Sequence, residues 1–498
     1  MNKTLKKLMG ALLCLSLIFA TGCGKPTPDS GDNTDPTQTG ETASGTETVM
    51  TDSSGNVIDP VPTDSAGTGG QPGTATKGPG VTTGNSPSTS SSSGSTPFGW
   101  PDLKSREIRL GQWWAPANYV PDQQAQKLTN SKFKEVQITD YATLYTSILS
   151  GAPIVDIFAV YNMPLLQLIK SDYVLPLEGY LDFKQSKWNQ VSVNESTVGS
   201  HTYSMNNGNI AEGPMLMYNK TMLTQYGFKD LYELQKNGEL TWEYLDKIIT
   251  TIPTKNSSYC GLVPVYDYGG FAKHLLEANG AIFVSRQAKT MNLSYGLQTQ
   301  QKAAITALDY AQKWMKDSSK RYVYDNTQYG WDTNKTFFAS GKAALCLVSY
   351  GQYGDVAINA RFDLGMCLFP GGPDASHDLV SQSEYTYVCI PKGVKNPEQV
   401  AAYWDCRTSY FMENEWSEEK SLQNMRDLMD SKSGYETLKR AFSMLRSGQY
   451  TYDYLSTVAG KVNNFDLTKV AKGETTPAAF INAVAPEVKA AISDFLKK

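Results

Sequence analysis

Between residues 107 and 170 the hydrophobic positions change repeatedly from a strand pattern to a helix pattern. Alternating or short continuous apolar runs predict strands at Glu107–Gln112, Phe133–Ile138 and Ile154–Val160. Apolar positions three and four residues apart predict helices at Asp122–Thr129, Tyr141–Ser150 and Pro164–Lys170. This strand–helix–strand order is typical of an α/β lobe with a largely parallel sheet.

A second block of elements follows. Met215–Tyr218 is a short apolar run, and strands are predicted at Gly261–Val265, Ala343–Ser349, Leu364–Phe369 and Tyr387–Ile390. Helices are predicted from the N-cap Thr241 to a stop at Pro253, at Lys302–Lys316, at Glu398–Phe411, and at the C-terminus, where Pro486 starts the last segment. About 400 residues are too many for one ordinary core, so two lobes are expected.

The N-terminus has the pattern of an export signal. Three lysines precede an apolar stretch from Leu8 to Ala20, and small residues then lead to Cys23. Ala20-Thr21-Gly22-Cys23 resembles the bacterial lipobox, with Ala in place of the usual Leu, which implies a lipid (palmitate) on Cys23 and anchoring at the extracellular face of a Gram-positive cell membrane. The alternative is an ordinary signal peptide with an incidental cysteine. Gly24–Phe98 is dominated by Ser, Thr, Gly and Pro and is expected to be a disordered tether spanning roughly 50 Å.

Charge and reactive residues exclude several classes of function. The formal net charge of −4 comes with no long basic run, so nucleic acid is not an expected partner. Outside the signal region no apolar stretch reaches the roughly 20 residues that span a bilayer. The odd set of five cysteines in the folded region contains no Cys-x-x-Cys pair, and Cys346, Cys367 and Cys389 lie in apolar, strand-like runs. This favours buried small side chains over a disulfide framework, the alternative. The three histidines lack ligand-spaced neighbours, so neither a metal nor a cofactor is predicted.

Several passages together resemble one family. They are Glu212–Leu223 with its Tyr-Asn-Lys, Thr241-Trp242-Glu243-Tyr244-Leu245, Phe338–Leu345 with its Gly-Lys-Ala-Ala, Phe369–Pro373, and Val388–Ala402 with its Asn-Pro-Glu. In this order they resemble family 1 extracellular solute-binding proteins, the maltose-binding-protein type that serves ATP-driven (ABC) importers. The resemblance implies a two-lobe, type II periplasmic-binding-protein-like α/β fold with a ligand cleft between the lobes. It also implies a monomer without catalytic activity, a carbohydrate or other small-molecule ligand, and permease subunits as partners.

The expected organisation follows from these signals. Residues 1–23 form the lipoprotein signal peptide and residues 24–98 the tether. The N-terminal lobe comprises residues 99–211 plus about 380–415, and the C-terminal lobe comprises residues 212–379 plus about 416–498.

Sugar binding requires aromatic faces and fixed polar groups, and both follow predicted strands. Trp113 and Trp114 come after the first strand, and Tyr161 and Asn162 after the third, at the carboxyl edge where open α/β sheets bind ligands. Strand alternation would place one tryptophan in the cleft and the other in the core. Further candidates are Glu212, Trp331, Asp332, Tyr350, Tyr353, Ser383, Glu384 and Tyr385. By resemblance, Glu212 occupies the place of a ligand-contacting glutamate, and Tyr350 and Tyr353 that of a stacking tryptophan.

Two other functions are compatible with a tethered surface domain. A glycoside hydrolase would need two carboxylates roughly 5–10 Å apart, and Asp156, Glu212, Asp332 and Glu384 carry no pairing signal. Gly-x-Ser-x-Gly, a Walker lysine loop and His-Glu-x-x-His do not occur. An adhesive protein is the third possibility. The family motifs favour a binding protein over both.

Overall fold

The computed structural model describes residues 95–161, 163–207, 215–264, 267–317, 330–348, 353–378, 380–381, 386–429 and 432–497. The predicted signal peptide, Cys23 and the tether up to residue 94 lie outside the described residues. Residues 95–98, which the sequence suggested were tether, contact the folded region: the Thr96 hydroxyl donates to the carbonyl oxygen of Leu128 at 2.8 Å. The lobe boundaries stay a prediction.

The strands of the two four-stranded sheets lie close to the predicted positions, whereas the two-stranded pairs were not predicted. They are β1 (Glu107–Gln112), β2 (Lys132–Gln137), β3 (Ile157–Ala159), β4 (Thr197–Val198), β5 (His201–Thr202), β6 (Met215–Asn219), β7 (Cys260–Pro264), β8 (Val284–Arg286), β9 (Leu293–Tyr295), β10 (Ala343–Val348), β11 (Leu364–Leu368), β12 (Val380–Ser381), β13 (Val388–Cys389) and β14 (Tyr450–Thr451).

Helices separate most of the strands. They are α1 (Val120–Thr129), α2 (Tyr141–Leu149), α3 (Leu165–Lys170), α4 (Gln190–Glu195), α5 (Lys220–Gln225), α6 (Leu231–Lys236), α7 (Trp242–Lys255), α8 (Tyr268–Ala278), α9 (Leu297–Met315), α10 (Gly330–Ala339), α11 (Tyr353–Asn359), α12 (Pro397–Tyr410), α13 (Glu418–Met429), α14 (Lys432–Arg446), α15 (Ser456–Ala459), α16 (Leu467–Lys472) and α17 (Pro477–Leu496). A π-helical turn, Phe411–Glu415, follows α12.

Two four-stranded sheets define two lobes. The first sheet has the order β13-β3-β1-β2, with β1 parallel to β2 and β3 and with β13 antiparallel to β3. The second has the order β11-β6-β10-β7, with β10 parallel to β7 and antiparallel to β6. Because β13 returns to the first sheet after the second is complete, the chain crosses between the lobes. The predicted two-lobe α/β fold is confirmed.

The helix end predicted at Pro253 is wrong, and Pro486 starts no separate segment. Helix α7 continues two residues beyond Pro253, and α17 runs through Pro486 without interruption. Pro253 cannot donate to the carbonyl of Ile249, and Gly261 of β7 packs so closely on the Ile249 backbone that a Cβ there would lie 2.4 Å from that carbonyl oxygen. Pro486 is exposed, so water can solvate the carbonyl that it leaves without a donor.

The cysteines behave as the sequence predicts. Cys260, Cys346, Cys367, Cys389 and Cys406 are all buried and are not joined in disulfides. Burial raises the pKa of Cys346, Cys367 and Cys389 far above the usual thiol value, and it raises the pKa of Cys406 to about 12. These thiols therefore pack as small apolar side chains and stay protonated.

Candidate functional site

Aromatic rings gather at the carboxyl edge of the first sheet. Trp113 follows β1 and Tyr161 follows β3, and these strands are parallel neighbours paired at Leu110 and Ile157. The rings of Trp113 and Tyr161 stack with centroids 5.5 Å apart and planes 28° apart. Trp114 meets Trp113 edge-on, with centroids 5.3 Å apart and planes 86° apart. We call Trp113, Trp114 and Tyr161 the aromatic cluster.

Helix α2 holds one side of the aromatic cluster in place. The Tyr145 hydroxyl donates to the carbonyl oxygen of Tyr161 at 2.8 Å, and the Tyr141 hydroxyl donates to that of Ala159 at 2.9 Å. The Tyr141 ring also lies 5.2 Å from the Tyr161 ring. Burial raises the pKa of both Tyr141 and Tyr145 far above the usual phenol value, so both hydroxyls remain donors.

The prediction that one tryptophan faces the cleft and the other the core stays a prediction. Both are half-buried and touch each other in the loop that follows the end of β1 at Gln112. Trp113 packs against the buried core, whereas Trp114 contacts the cluster through Trp113. The Trp113 indole N–H is inaccessible to water and has no acceptor among the described residues.

Polar side chains of β2 fix the loop that carries the tryptophans, and sequence reasoning missed them. Glu135 accepts from the backbone N–H of Ala117 and Asn118, and Gln137 donates to the carbonyl oxygen of Trp113 at 3.2 Å. The signal that could have found them is the side-by-side register of β1 and β2, in which Leu110 pairs with Glu135 and Gln112 with Gln137.

The other predicted site residues stay predictions. Asn162, Glu212, Tyr350, Ser383, Glu384 and Tyr385 lie outside the described residues. Trp331 and Asp332 lie in the first turn of α10, and one turn later the Asn334 amide donates to the carbonyl oxygen of Pro264, at the end of β7. The start of α10 is thus near the carboxyl edge of the second sheet. Tyr353 begins α11 and packs half-buried on the core.

One carboxylate considered as a candidate for glycoside hydrolysis, that of Asp156, is engaged in ion pairs. Asp156 precedes β3 and forms an ion pair with Arg109, with Nε and Oδ2 3.0 Å apart, and a second with Arg106 at 3.5 Å. Its side chain is only 8% exposed. A carboxylate held by two guanidinium groups along a strand edge is placed to stabilise the sheet.

Contacts between the lobes form a second polar cluster. Arg286 of β8 donates to the carbonyl oxygens of Glu195 and Thr197, both at 2.5 Å. The Tyr450 hydroxyl donates to the Glu195 carboxylate at 2.7 Å. Burial raises the pKa of Glu195 and lowers that of Arg286. We call these contacts the interlobe contacts.

A cavity of about 560 Å³ lies away from the aromatic cluster. It opens where β7 and β10 begin, beside Tyr259 and Gly341, at the edge of the second sheet opposite the carboxyl ends of these two parallel strands. In the described parts of the chain no group of three or more His, Cys, Asp or Glu is arranged to hold a metal ion. None of the helices described here is long and apolar enough to cross a bilayer.

Comparison with known families decides the class. The sequence model of the bacterial extracellular solute-binding proteins matches residues 117–406, more than half of the chain. This chain belongs to that family. The two-lobe fold with its two sheets agrees with this match, and the predicted family is confirmed. A comparison of the sequence with curated proteins gives no match.

Solved structures show the same fold at low identity. The GacH receptor of Streptomyces glaucescens GLA.O, described unliganded and with acarbose, is similar with a TM-score of 0.56 and 17% identity over 78% of this chain and 99% of its own. A cyclo/maltodextrin-binding protein complexed with maltotetraose has a TM-score of 0.54 and 15% identity over 80% of this chain and 99% of its own. UgpB from Mycobacterium tuberculosis, in complex with glycerophosphocholine, has a TM-score of 0.53 and 14% identity over 78% of this chain and 99% of its own.

Proposed function

We propose that this solute-binding protein captures a sugar or oligosaccharide outside the cell and delivers it to the permease subunits of an ABC importer. The observation that carries the proposal is the aromatic cluster of Trp113, Trp114 and Tyr161, at the strand ends where the fold binds ligands. Stacked and edge-on rings offer flat apolar faces to the C–H side of a pyranose ring.

The ligands of the fold neighbours favour a carbohydrate but include a second ligand class. Two of them are described with acarbose or maltotetraose and the third with glycerophosphocholine. Glycerophosphocholine has a quaternary ammonium group, which aromatic faces also bind. The carbohydrate proposal therefore needs a direct comparison between these ligand classes.

A ligand screen tests the proposal. We expect maltose, maltotetraose or another neutral saccharide to raise the melting temperature of the mature chain carrying Cys23→Ala, which removes the proposed lipid site. Saccharide at one hundred times its dissociation constant should stabilise the fold by about 2.7 kcal/mol. Stabilisation by glycerophosphocholine, with none by saccharides, would contradict the carbohydrate assignment. Mass spectrometry of the ligand after long incubation should find it intact, and a shortened product would favour the hydrolase alternative.

We also propose that a lipid on Cys23 anchors the protein at the extracellular face of the membrane and that residues 24–94 tether the folded region to it. The support is the order of charged, apolar and small residues before Cys23. Cys23→Ala should move the protein from the membrane fraction to the medium. The control is Cys14→Ala, inside the apolar stretch, which should leave the protein in the membrane fraction. A Cys23→Ala chain with a cleaved signal that stays on the membrane would contradict lipid anchoring.

A further inference from the structure

One carboxylate, that of Glu135 in β2, bridges the two ends of the loop from Trp113 to Asn118. Glu135 Oε2 accepts from the backbone N–H of Ala117 at 2.9 Å and from that of Asn118 at 3.0 Å. Its Oε1 accepts from the side-chain amide of Gln112 at 3.0 Å. The carboxylate thus joins the residue before the tryptophans to the residues after them.

The two ends of this loop are built differently. At its start, Gln112 is fully buried, and its carbonyl oxygen accepts from the N–H of Ile138 at 2.7 Å. At its end, Asn118 adopts a left-handed conformation with φ of 52°, which few side chains other than Asn and Asp tolerate. The N–H groups of Ala117 and Asn118 face the same side, so a single carboxylate oxygen accepts from both.

The charge of Glu135 fits its surroundings. Glu135 is half-buried, and its negative charge stabilises the positive charge of Arg407. Arg407 belongs to α12 and forms an ion pair with Asp122 of α1. A charged acceptor makes stronger hydrogen bonds to backbone N–H groups than a neutral one. Glu135 therefore holds the loop more firmly than an amide of the same shape would.

We propose that Glu135 is a positioning residue that fixes the Trp113–Asn118 loop and thereby presents Trp113 and Trp114 in one orientation before ligand arrives. The inference that this orientation serves ligand binding rests on the proposed function. A loop ordered in advance avoids the entropy cost of ordering its side chains on binding. Glu135 hydrogen-bonds to the loop backbone and to Gln112, so it acts through the loop.

The sharpest test is Glu135→Gln in the otherwise unchanged chain. Glutamine keeps the shape but removes the charge, so the hydrogen bonds that its remaining oxygen accepts from the N–H groups of Ala117 and Asn118 become weaker neutral ones. Its NH₂ group can then face Gln112 only if the Gln112 amide rotates to present its oxygen, which has no partner among the described residues. The matched control is Glu107→Gln, which removes the same charge from the exposed, opposite end of β1.

The first measurement needs no ligand. Glu135→Gln should change the near-ultraviolet circular dichroism that arises from the edge-on Trp113–Trp114 pair and increase acrylamide quenching, with the far-ultraviolet spectrum preserved. The same substitution in a Trp113→Phe/Trp114→Phe chain should produce no such difference, which assigns the change to this pair. Glu107→Gln should match the parent. A Glu135→Gln spectrum and quenching constant identical to those of the parent would overturn the proposal, because the loop then holds its tryptophans without this carboxylate.

The second measurement uses maltotetraose as the probe. If the parent binds it, Glu135→Gln should weaken binding about tenfold, as expected for the loss of a charge-assisted hydrogen bond, while Glu107→Gln should not. A changed spectrum with unchanged affinity would overturn the link between the loop and ligand binding. A parent that binds no saccharide contradicts the proposed function, and the ligand-free spectrum still decides whether Glu135 positions the loop.

Discussion

Trp113 and Tyr161 stack although they belong to different segments of the chain, with ring centroids 5.5 Å apart. The stack exists because β1 and β3 are parallel neighbours that end at the same edge of the first sheet. Tyr161 is in turn held by the hydroxyl of Tyr145, which donates to its carbonyl oxygen. The sheet and α2 therefore build a rigid aromatic surface, to which Trp114 adds an exposed edge.

Trp114→Ala should weaken ligand binding while leaving the fold largely intact. Trp114 is half-buried and contacts the cluster through one ring, so its removal should reduce affinity by several-fold, or about 1 kcal/mol. Calorimetric titration measures the affinity, and thermal melting measures the stability. The contrast is Trp242→Ala, which removes a buried indole whose N–H donates to the carbonyl oxygen of Pro370, and which should cost about 3–5 kcal/mol of stability. If Trp114→Ala melts as early as Trp242→Ala and the folded fraction binds normally, Trp114 is a core residue.

Local patterns were sufficient for the strands of the two four-stranded sheets but not for the site. The bounds of β1 and the N-cap Thr241 follow from residues adjacent in sequence, and both were predicted correctly. Pro253 was misread as a helix stop because a proline loses only its own hydrogen bond, and the chain keeps helical geometry for two more residues, up to Lys255. The role of Glu135 depends on the register between β1 and β2, which a single sequence does not display.

The orientation of the tryptophans shows a second limit. The period-two rule holds only while the backbone stays extended in a strand, and β1 ends one residue before Trp113. Beyond that point the ring positions depend on hydrogen bonds from β2 to the loop, such as that from Gln137 to the Trp113 carbonyl. Such long-range contacts are available only from the folded structure.

His274 should make the fold sensitive to acid. It lies fully buried in α8 against Phe369, both ring nitrogens lack a partner among the described residues, and burial lowers its pKa to about 3. At pH values between its unfolded pKa of about 6.5 and this value, His274 is protonated in the unfolded chain and neutral in the folded chain. The His274 contribution therefore reduces the free energy of unfolding by up to about 1.4 kcal/mol per pH unit as the pH falls below about 6.5.

His274→Leu isolates this effect, because leucine fills a similar volume and does not titrate. Urea unfolding from pH 7.5 to 4.5 should show a shallower loss of stability for the variant, and a higher stability at pH 7 because two unpaired nitrogens are removed. The control His377→Leu changes an exposed histidine and should follow the parent. Equal pH slopes for His274→Leu and the parent would show that His274 is not the group that titrates.

Asp122 and Arg407 should behave as a coupled pair. Arg407 Nε lies 2.5 Å from Asp122 Oδ1 and its Nη2 lies 3.2 Å from Oδ2, which joins α1 to α12 with both side chains nearly buried. Arg407→Met leaves Asp122 buried without its cation and should cost about 3–5 kcal/mol. The double variant Asp122→Leu/Arg407→Met should lose less stability than Arg407→Met alone. Denaturant unfolding measures the free energy of unfolding of both variants. Additive losses in the double variant would mean that the two side chains act independently.

The interlobe contacts should favour the arrangement of lobes described here. Glu195 and Thr197 lie in a segment joined to the first sheet, since Leu175 donates to Ile390 and Met205 to Val388. Arg286 belongs to β8, which packs on the core of the second lobe through Val284. A ligand held between the lobes stabilises the closed arrangement, and its apparent affinity scales with the fraction of molecules already closed. Contacts that cross between the lobes and form only in the closed arrangement therefore contribute to affinity without touching the ligand.

Arg286→Met and Tyr450→Phe remove these contacts one at a time. Tyr450→Phe deletes only the hydroxyl that donates to Glu195, which should cost about 1–3 kcal/mol of the preference for the present arrangement. Small-angle X-ray scattering should then give a larger radius of gyration without ligand, and saturating ligand should restore the parent value. Lys313→Gln, which breaks an ion pair with Asp246 inside the second lobe, is the matched control and should change neither quantity. If Arg286→Met and Tyr450→Phe scatter like the parent and bind with unchanged affinity, the interlobe contacts persist through lobe motion and lie on the side about which the lobes rotate.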